Sequence, residues 1–92
     1  MQEDGWWQFL ELCRKFEDEK KADTFFDLFF TKEEKADMAK RYLVIRALLN
    51  EKLSQREIAK KYHVSIFKIT RGSNALKIIK PKLKEFLIEN MK

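Results

Sequence analysis

The chain has 92 residues with a net charge of +5, which leaves room for one domain. Only two glycines and one proline interrupt a composition rich in helix formers, so we expect an all-α protein. The lone cysteine excludes an internal disulfide, the acidic start MQEDGWW is unlike a signal peptide, and no apolar run reaches the roughly 18 residues needed to span a bilayer. A soluble, cytoplasmic protein without a membrane partner is the expectation.

Two aromatic-rich helices are predicted in the first third of the chain. In the first, apolar residues follow the three-four spacing of one helix face: Trp6, Phe9, Leu10, Cys13 and Phe16. The second, about 22–30, reads ADTFFDLFF and is apolar on most sides. A helix so short and so apolar must be buried almost all round, and a monomer of this size can hardly cover it. We therefore interpret this third as a dimer interface.

Four further helices follow, each with a recognisable start. Thr31 and Glu34 form a capping box that begins a long helix to about Asn50, with Met38, Tyr42, Ile45 and Leu49 along one side. Ser54 and Glu57 form a second box, opening a short helix that ends near Tyr62. Ser65 can cap the fifth helix, and Pro81 suits the first turn of the sixth because its missing N–H costs nothing there.

The segment from Gln55 to about Ala75 fits a helix-turn-helix. Apolar or small residues fall at the positions where two steeply crossing helices touch: Ile58, Ala59, Tyr62, Val64 and Ile69. His63 stands at the turn, where the backbone becomes left-handed, and histidine tolerates that region better than most residues. A plain αα-corner in a helical bundle is the alternative reading.

Charge divides the chain unevenly. Residues 1–50 carry 9 Lys/Arg against 11 Asp/Glu, a net −2, whereas residues 51–92 carry 11 against 4, a net +7. The basic excess of the second half can belong to an ordinary solvent-exposed surface. It is also typical of a nucleic-acid binder whose assembly region is separate.

Gly72 interrupts the fifth helix late in the segment, where the motif normally offers an apolar side chain to its own core. A helix-interior glycine costs roughly 1 kcal/mol relative to alanine. Either two helices approach closely at this position, or the missing side chain leaves room for something else.

The sequence Ser54-Gln55-Arg56-Glu57, followed by Ile69-Thr70-Arg71-Gly72-Ser73-Asn74, closely resembles the tryptophan repressor family, without gaps over most of the chain. The resemblance implies a six-helix fold and an intertwined homodimer. It also implies binding of double-stranded operator DNA with L-tryptophan as co-repressor, and control of genes for tryptophan biosynthesis or uptake. On this basis we expect one domain, with a dimerisation core at about 1–50 and 81–92 and a helix-turn-helix head at about 54–77.

The resemblance also assigns a ligand pocket. Arg41 and Arg71 match the arginines that flank the indole, since guanidinium planes stack on aromatic faces and neutralise a carboxylate. Gly72 matches the glycine beside the ring and Val44 an apolar wall. Three backbone carbonyls of the other subunit would receive the ligand's ammonium group, those of Leu28, Phe30 and Thr31. Ala75 departs from some members, which have a serine whose hydroxyl helps hold that group, so weaker affinity or altered selectivity is expected.

DNA contacts are expected around the start of the fifth helix, which should enter the major groove. The exposed candidates there are Ser65, Ile66, Phe67, Lys68 and Thr70. Arg56 suits bidentate recognition of guanine, and Gln55, Asn74 and Lys77 suit phosphate contacts. Phe67 replaces a small residue of some members and should prefer thymine methyl groups or require a different half-site.

Other functions stay open at this stage. One is a DNA-binding regulator of the same fold that responds to a different ligand or to none. Another is a helical dimer that acts as a protein-interaction module, whose basic half binds an acidic partner. An enzyme is disfavoured because one histidine, one cysteine and no clustered carboxylates leave little for catalysis, and a metal site would need more ligands.

Overall fold

The computed structural model describes residues 3–92 and confirms the all-α prediction, with no strand in this range. Its helices are α1 (Gly5–Cys13), α2 (Glu19–Phe29), α3 (Lys32–Asn50), α4 (Gln55–Tyr62), α5 (Ile66–Ile78) and α6 (Pro81–Asn90). None of the helices described is long and apolar enough to cross a membrane. Contacts divide the chain between Lys35 and Ala36 into two compact units, each of which is described by itself. The division into a dimerisation core and a head stays a prediction.

The first unit is held together by aromatic rings. Phe9 of α1 stacks on Phe25 of α2, with centroids 5.9 Å apart, and meets Phe29 edge-on at 5.2 Å. Phe16 lies against Phe25 at 4.7 Å. Offset and edge-to-face pairs of this kind add about 0.5–1.5 kcal/mol beyond the area they bury. Several rings nevertheless remain open in the single chain, Trp6 being 61% exposed and Phe29 49%.

Two boundaries in this unit differ from the sequence prediction. Phe16, expected on the face of the first helix, lies beyond its end, because α1 stops at Cys13. The second helix begins at Glu19 rather than near residue 22. Asp18 caps it by accepting the backbone N–H of Lys20 at 2.8 Å, an N-terminal signal that the apolar pattern did not include.

The second unit is built around four buried residues, Val44 and Ala47 of α3, Ile58 of α4 and Ile69 of α5. Partly buried residues surround them: Leu48, Leu53, Ala59, Tyr62 and Val64. The five contact positions predicted for the α4–α5 pair all belong to this set, so that prediction is confirmed. The stripe predicted on the long helix is not the buried one, since Met38 and Tyr42 are 56% and 46% exposed. The side of α3 that carries Val44 and Ala47 packs here instead, and of these two only Ala47 was predicted to lie on a second side, with Ala39 and Leu43.

The end of α3 is tied to α4 by a polar network. Glu51 accepts hydrogen bonds from Lys61 Nζ at 2.7 Å and from the Tyr62 hydroxyl at 3.1 Å. The Lys61 bond, followed by the weaker one from Tyr62, lowers the pKa of Glu51 below its ordinary value. Asn50 Nδ2 donates to the carbonyl of Met91 at 3.0 Å and fixes the chain's last turn against α3. The polar bonds complement the apolar cluster in setting where α4 lies.

Candidate functional site

The turn between α4 and α5 has the geometry that its sequence predicts. The backbone of His63 is in the left-handed helical region, with φ 55° and ψ 48°, and His63 is the one non-glycine residue with positive φ in the described range. The N–H of Val64 reaches back to the carbonyl of Ala59 at 3.0 Å. Ser54 and Glu57 exchange capping-box bonds of 3.1 and 3.0 Å at the start of α4, and the predicted box is confirmed. Two short helices therefore meet through a tight, well-capped turn.

Each of the nine residues proposed to contact DNA is exposed in the structure: Gln55, Arg56, Ser65, Ile66, Phe67, Lys68, Thr70, Asn74 and Lys77. Ser65 caps α5 by accepting the N–H of Lys68 at 3.3 Å, as predicted. Next to this cap, Phe67 is 73% exposed and Ile66 46%. An exposed phenylalanine in the first turn of a helix has no role in the core of this unit, so it is available to a partner.

A side-chain hydrogen bond links the two helices of the pair on this face. Thr70 of α5 donates its hydroxyl hydrogen to Oε1 of Gln55, the first residue of α4, at 3.0 Å. With its oxygen engaged, the amide of Gln55 keeps both N–H donors for an outside acceptor. The sequence reasoning named the two residues separately and did not foresee their contact.

Gly72 faces α3 across a close approach. A Cβ placed on it would lie 3.4 Å from Leu48 Cδ1, 3.6 Å from Ile45 Cδ1 and 3.7 Å from Val44 Cγ1. These are ordinary van der Waals distances, so the position has room for a methyl group. The structure brings Gly72 and the predicted wall residue Val44 together, and it adds Ile45 and Leu48, which the sequence reasoning missed. Their signal was helix spacing, since Leu48 is four residues from Val44.

The two arginines proposed for the pocket lie on the helices that meet at Gly72. Arg41 is three residues before Val44 on α3, hence on the same side of that helix, and Arg71 directly precedes Gly72 on α5. Both are exposed, and neither forms a salt bridge or a side-chain hydrogen bond within residues 3–92. Ala75, also exposed, is one turn further along α5 from Arg71. Two guanidinium groups are thus available near an apolar contact between helices.

The remaining predicted pocket residues, Leu28, Phe30 and Thr31, lie in the first unit, where α2 ends and α3 begins. Leu28 is 81% exposed, and Phe30 is extended, with its N–H bonded to the carbonyl of Phe26 at 2.8 Å. Thr31 and Glu34 form the predicted capping box, with bonds of 2.9 and 3.1 Å. The last carbonyls of α2 have no intrahelical donor and carry the negative end of its dipole, which suits a cation, whereas Thr31 begins α3 and its carbonyl accepts the N–H of Lys35 at 3.0 Å.

No group of three or more His, Cys, Asp or Glu residues in the described part of the chain could hold a metal ion. Cys13 is a free, partly buried thiol in the aromatic unit. The α3–α5 contact itself combines apolar side chains around Gly72 with the exposed guanidinium groups of Arg41 and Arg71 on the same two helices.

The six helices of residues 3–92, with a short capped pair meeting at a tight turn, define the class of fold: a small all-α protein. The family model described as Trp repressor protein matches residues 4–91, and the chain belongs to that family. It is 59% identical to the Trp operon repressor homolog of Chlamydia caviae over 85 residues, covering 92% of this chain and 84% of the relative. It is 56% identical to that of Chlamydia trachomatis serovar D over 86 residues, covering 94% and 92%. The Trp operon repressor homolog of Histophilus somni is 34% identical over 86 residues, covering 94% and 81%. The family consists of transcriptional regulators that bind DNA and not of enzymes.

Proposed function

We propose that this protein is a cytoplasmic, tryptophan-dependent transcriptional repressor. It binds operator DNA as a homodimer, takes L-tryptophan as co-repressor and controls genes for tryptophan biosynthesis or uptake. The relatives named as Trp operon repressor homologs support this direction. The observation that carries it is the approach of Gly72 to Val44, with two unpaired arginines on the same helices.

The ligand would lie beside Gly72. Arg41 and Arg71 would stack on the indole and neutralise the carboxylate, because guanidinium planes do both. Val44, Ile45 and Leu48 would supply apolar walls. The ammonium group would be received by carbonyls of Leu28, Phe30 and Thr31 from the partner subunit, at the negative end of that subunit's α2.

A homodimer would explain the open apolar surface of the first unit. Trp6, Trp7 and Leu28 are 61%, 66% and 81% exposed in the single chain. Small domains commonly gain stability by burying such surface against a second copy. The same association would bring the corner after α2 of one chain into the ligand site of the other.

DNA would be read by the start of α5 in the major groove, with Phe67 and Ile66 contacting thymine methyl groups and Arg56 a guanine. Gln55, Asn74 and Lys77 would contact phosphates, which position the protein without specifying sequence. Ten of the eleven charged residues from Lys52 to Lys84 are basic, the exception being Glu57, and this supports association with a polyanion.

Regulation would be a population shift. Without ligand, the two α4–α5 pairs of the dimer would populate spacings that do not fit DNA; bound ligand would favour the arrangement about one DNA turn apart. A ligand can shift this balance only by its preference for the competent state.

The test is a gel-shift titration of operator DNA with and without L-tryptophan, in the wild type and in Arg71→Ala. We expect tryptophan to raise the affinity of the wild type and to have no effect on Arg71→Ala. Arg14→Ala is the matched control, because Arg14 is an exposed arginine paired only with Glu11, and it should respond as the wild type does. An operator affinity that tryptophan leaves unchanged in the wild type would refute the proposal.

A second candidate is a DNA-binding regulator of the same fold with another ligand or none. Ala75 favours it, since alanine offers no hydroxyl to an amino group. Calorimetry with L-tryptophan and indole-3-propionate separates the two cases, because the second compound lacks the ammonium group. Binding to random DNA that weakens steeply with salt would separate both from a protein-interaction module.

A further inference from the structure

Lys35 connects α2 to the first turn of α3 through two carboxylates. Its Nζ donates to Asp23 Oδ1 at 2.7 Å and to Asp27 Oδ1 at 2.5 Å. The two aspartates are four residues apart on α2 and therefore share one face of that helix. Both bonds span the corner at residues 28–31, so they tie α2 to the first turn of α3.

This tie differs from an ordinary surface ion pair. An isolated exposed pair contributes little, because water and salt screen it and side-chain entropy opposes it. Here one ammonium group bridges two carboxylates, and its side chain is only 35% exposed. The hydrogen bonds that Lys35 donates to Asp23 and then to Asp27 raise the pKa of Lys35 above its ordinary value, so the bridge stays charged over the physiological range.

The corner is only partly packed. Leu28 is 81% exposed, and the backbone at Phe30 is extended. The Phe30 N–H bonds to the Phe26 carbonyl, and the Phe30 ring packs on Phe26 at 5.6 Å and on Phe9 at 6.1 Å. At the start of α3, the Thr31–Glu34 capping box and the bond from the Lys35 N–H to the Thr31 carbonyl at 3.0 Å hold the backbone. Lys35 is the residue that ties the helix on one side of the corner to the helix on the other.

We infer that Lys35, acting through Asp23 and Asp27, is a positioning residue that fixes the carbonyls of Leu28, Phe30 and Thr31 for an ammonium group. The inference rests on the proposed function, which gives these carbonyls to the ligand of the partner subunit. An ammonium group donates up to three hydrogen bonds, and each of them needs an acceptor at the right distance and angle. If the corner were mobile, the three carbonyls would not all stay in position and some of these bonds would be lost.

The experiment compares two ligands on the intact dimer of Lys35→Met by calorimetry. We expect the affinity for L-tryptophan to fall roughly three- to tenfold, part of the value of a hydrogen bond to a charged group. Indole-3-propionate has no ammonium group, and its affinity should stay within about twofold of the wild type. Lys35→Arg should restore the ratio of the two affinities, because a guanidinium group can span two carboxylates. Arg14→Met, which breaks the Arg14–Glu11 pair on α1, should leave that ratio unchanged.

Asp27→Asn provides a second, milder variant that removes one of the two carboxylates. It should change the ratio of the affinities for L-tryptophan and indole-3-propionate in the same direction as Lys35→Met, but by a smaller factor. If Lys35→Met does not fold, Asp27→Asn alone tests the inference. A ratio that neither variant changes overturns the inference. Equal losses for both ligands overturn it too, because they indicate a general structural role. If the wild type binds neither ligand, the proposed function itself fails and the inference with it.

Discussion

Thr70 donates its hydroxyl hydrogen to the side-chain oxygen of Gln55 across 3.0 Å and so joins the second turn of α5 to the first residue of α4 on their exposed face. The bond orients the amide of Gln55 with its two N–H donors free. It also suggests how a residue expected to touch DNA can act through a neighbour.

Replacing Thr70 with valine should weaken operator binding roughly two- to tenfold, the range that corresponds to one neutral hydrogen bond. If Thr70 acts by orienting Gln55, the same change in a Gln55→Ala background should have almost no effect. Gel-shift titrations of the two single variants and the double variant measure this coupling. Additive losses would mean that Thr70 contacts the DNA itself.

Gly72→Ala should separate stability from ligand response. The added methyl would meet α3 at ordinary contact distances and would remove the helix penalty of glycine. We expect the free energy of unfolding without ligand to rise by up to about 1 kcal/mol. Tryptophan binding should be lost, because the methyl occupies the space proposed for the indole.

Thermal denaturation of Gly72→Ala measures the change in stability, and calorimetry on the same preparation measures tryptophan binding. Ser73→Ala, at the next position of α5, is the control for the general effect of placing an alanine in this helix. Wild-type affinity for tryptophan in Gly72→Ala would place the indole elsewhere.

Ala75→Ser should strengthen tryptophan binding. The new hydroxyl lies one turn from Arg71 on α5 and can accept from the ligand's ammonium group, a bond worth roughly 1.5–3 kcal/mol, or at least about tenfold in affinity. Indole-3-propionate should gain nothing. Calorimetry with both ligands measures the difference, and an equal gain for the two would attribute the effect to packing.

Acid should weaken the start of α4 through Glu57. Hydrogen bonds from the backbone and then the side chain of Ser54 lower the pKa of Glu57 below its ordinary value of 4.5. A carboxyl whose pKa is lower in the folded state stabilises the fold fully above its unfolded-state pKa, and this contribution is lost as the pH falls through the folded-state value.

The stability advantage of the wild type over Glu57→Gln should therefore shrink as the pH falls below about 5. Melting temperatures of both proteins over this range measure it, since every other carboxyl is common to the two. A constant difference would show that the charge of Glu57 does not matter.

The sequence was sufficient for much of the fold because its signals are local. Capping boxes begin at Thr31 and Ser54, a left-handed turn falls at His63, and the α4–α5 contact positions follow from helix spacing. All of these are found in the structure. The start of α2 was misplaced because the apolar pattern begins only after Asp18 has capped the helix.

The candidate site was less accessible to sequence reasoning. Its residue types came from the ITRGSN resemblance, but which side of α3 faces Gly72 depends on how α5 packs. Ile45 and Leu48 were therefore missed as neighbours of Gly72. Lys35 was missed for the same reason, since its partners lie 8 and 12 residues away and are joined to it by the corner between two helices.

Val44 belongs to two surfaces at once. It packs with Ile58 and Ile69 in the cluster that anchors α4 and α5, and its methyl group lies 3.7 Å from the point where a Gly72 side chain would begin. Val44 therefore belongs both to the buried cluster under α4 and α5 and to the side chains that surround Gly72. A change in the volume of Val44 will therefore alter the packing beneath α4 and α5 and the space beside Gly72 at the same time.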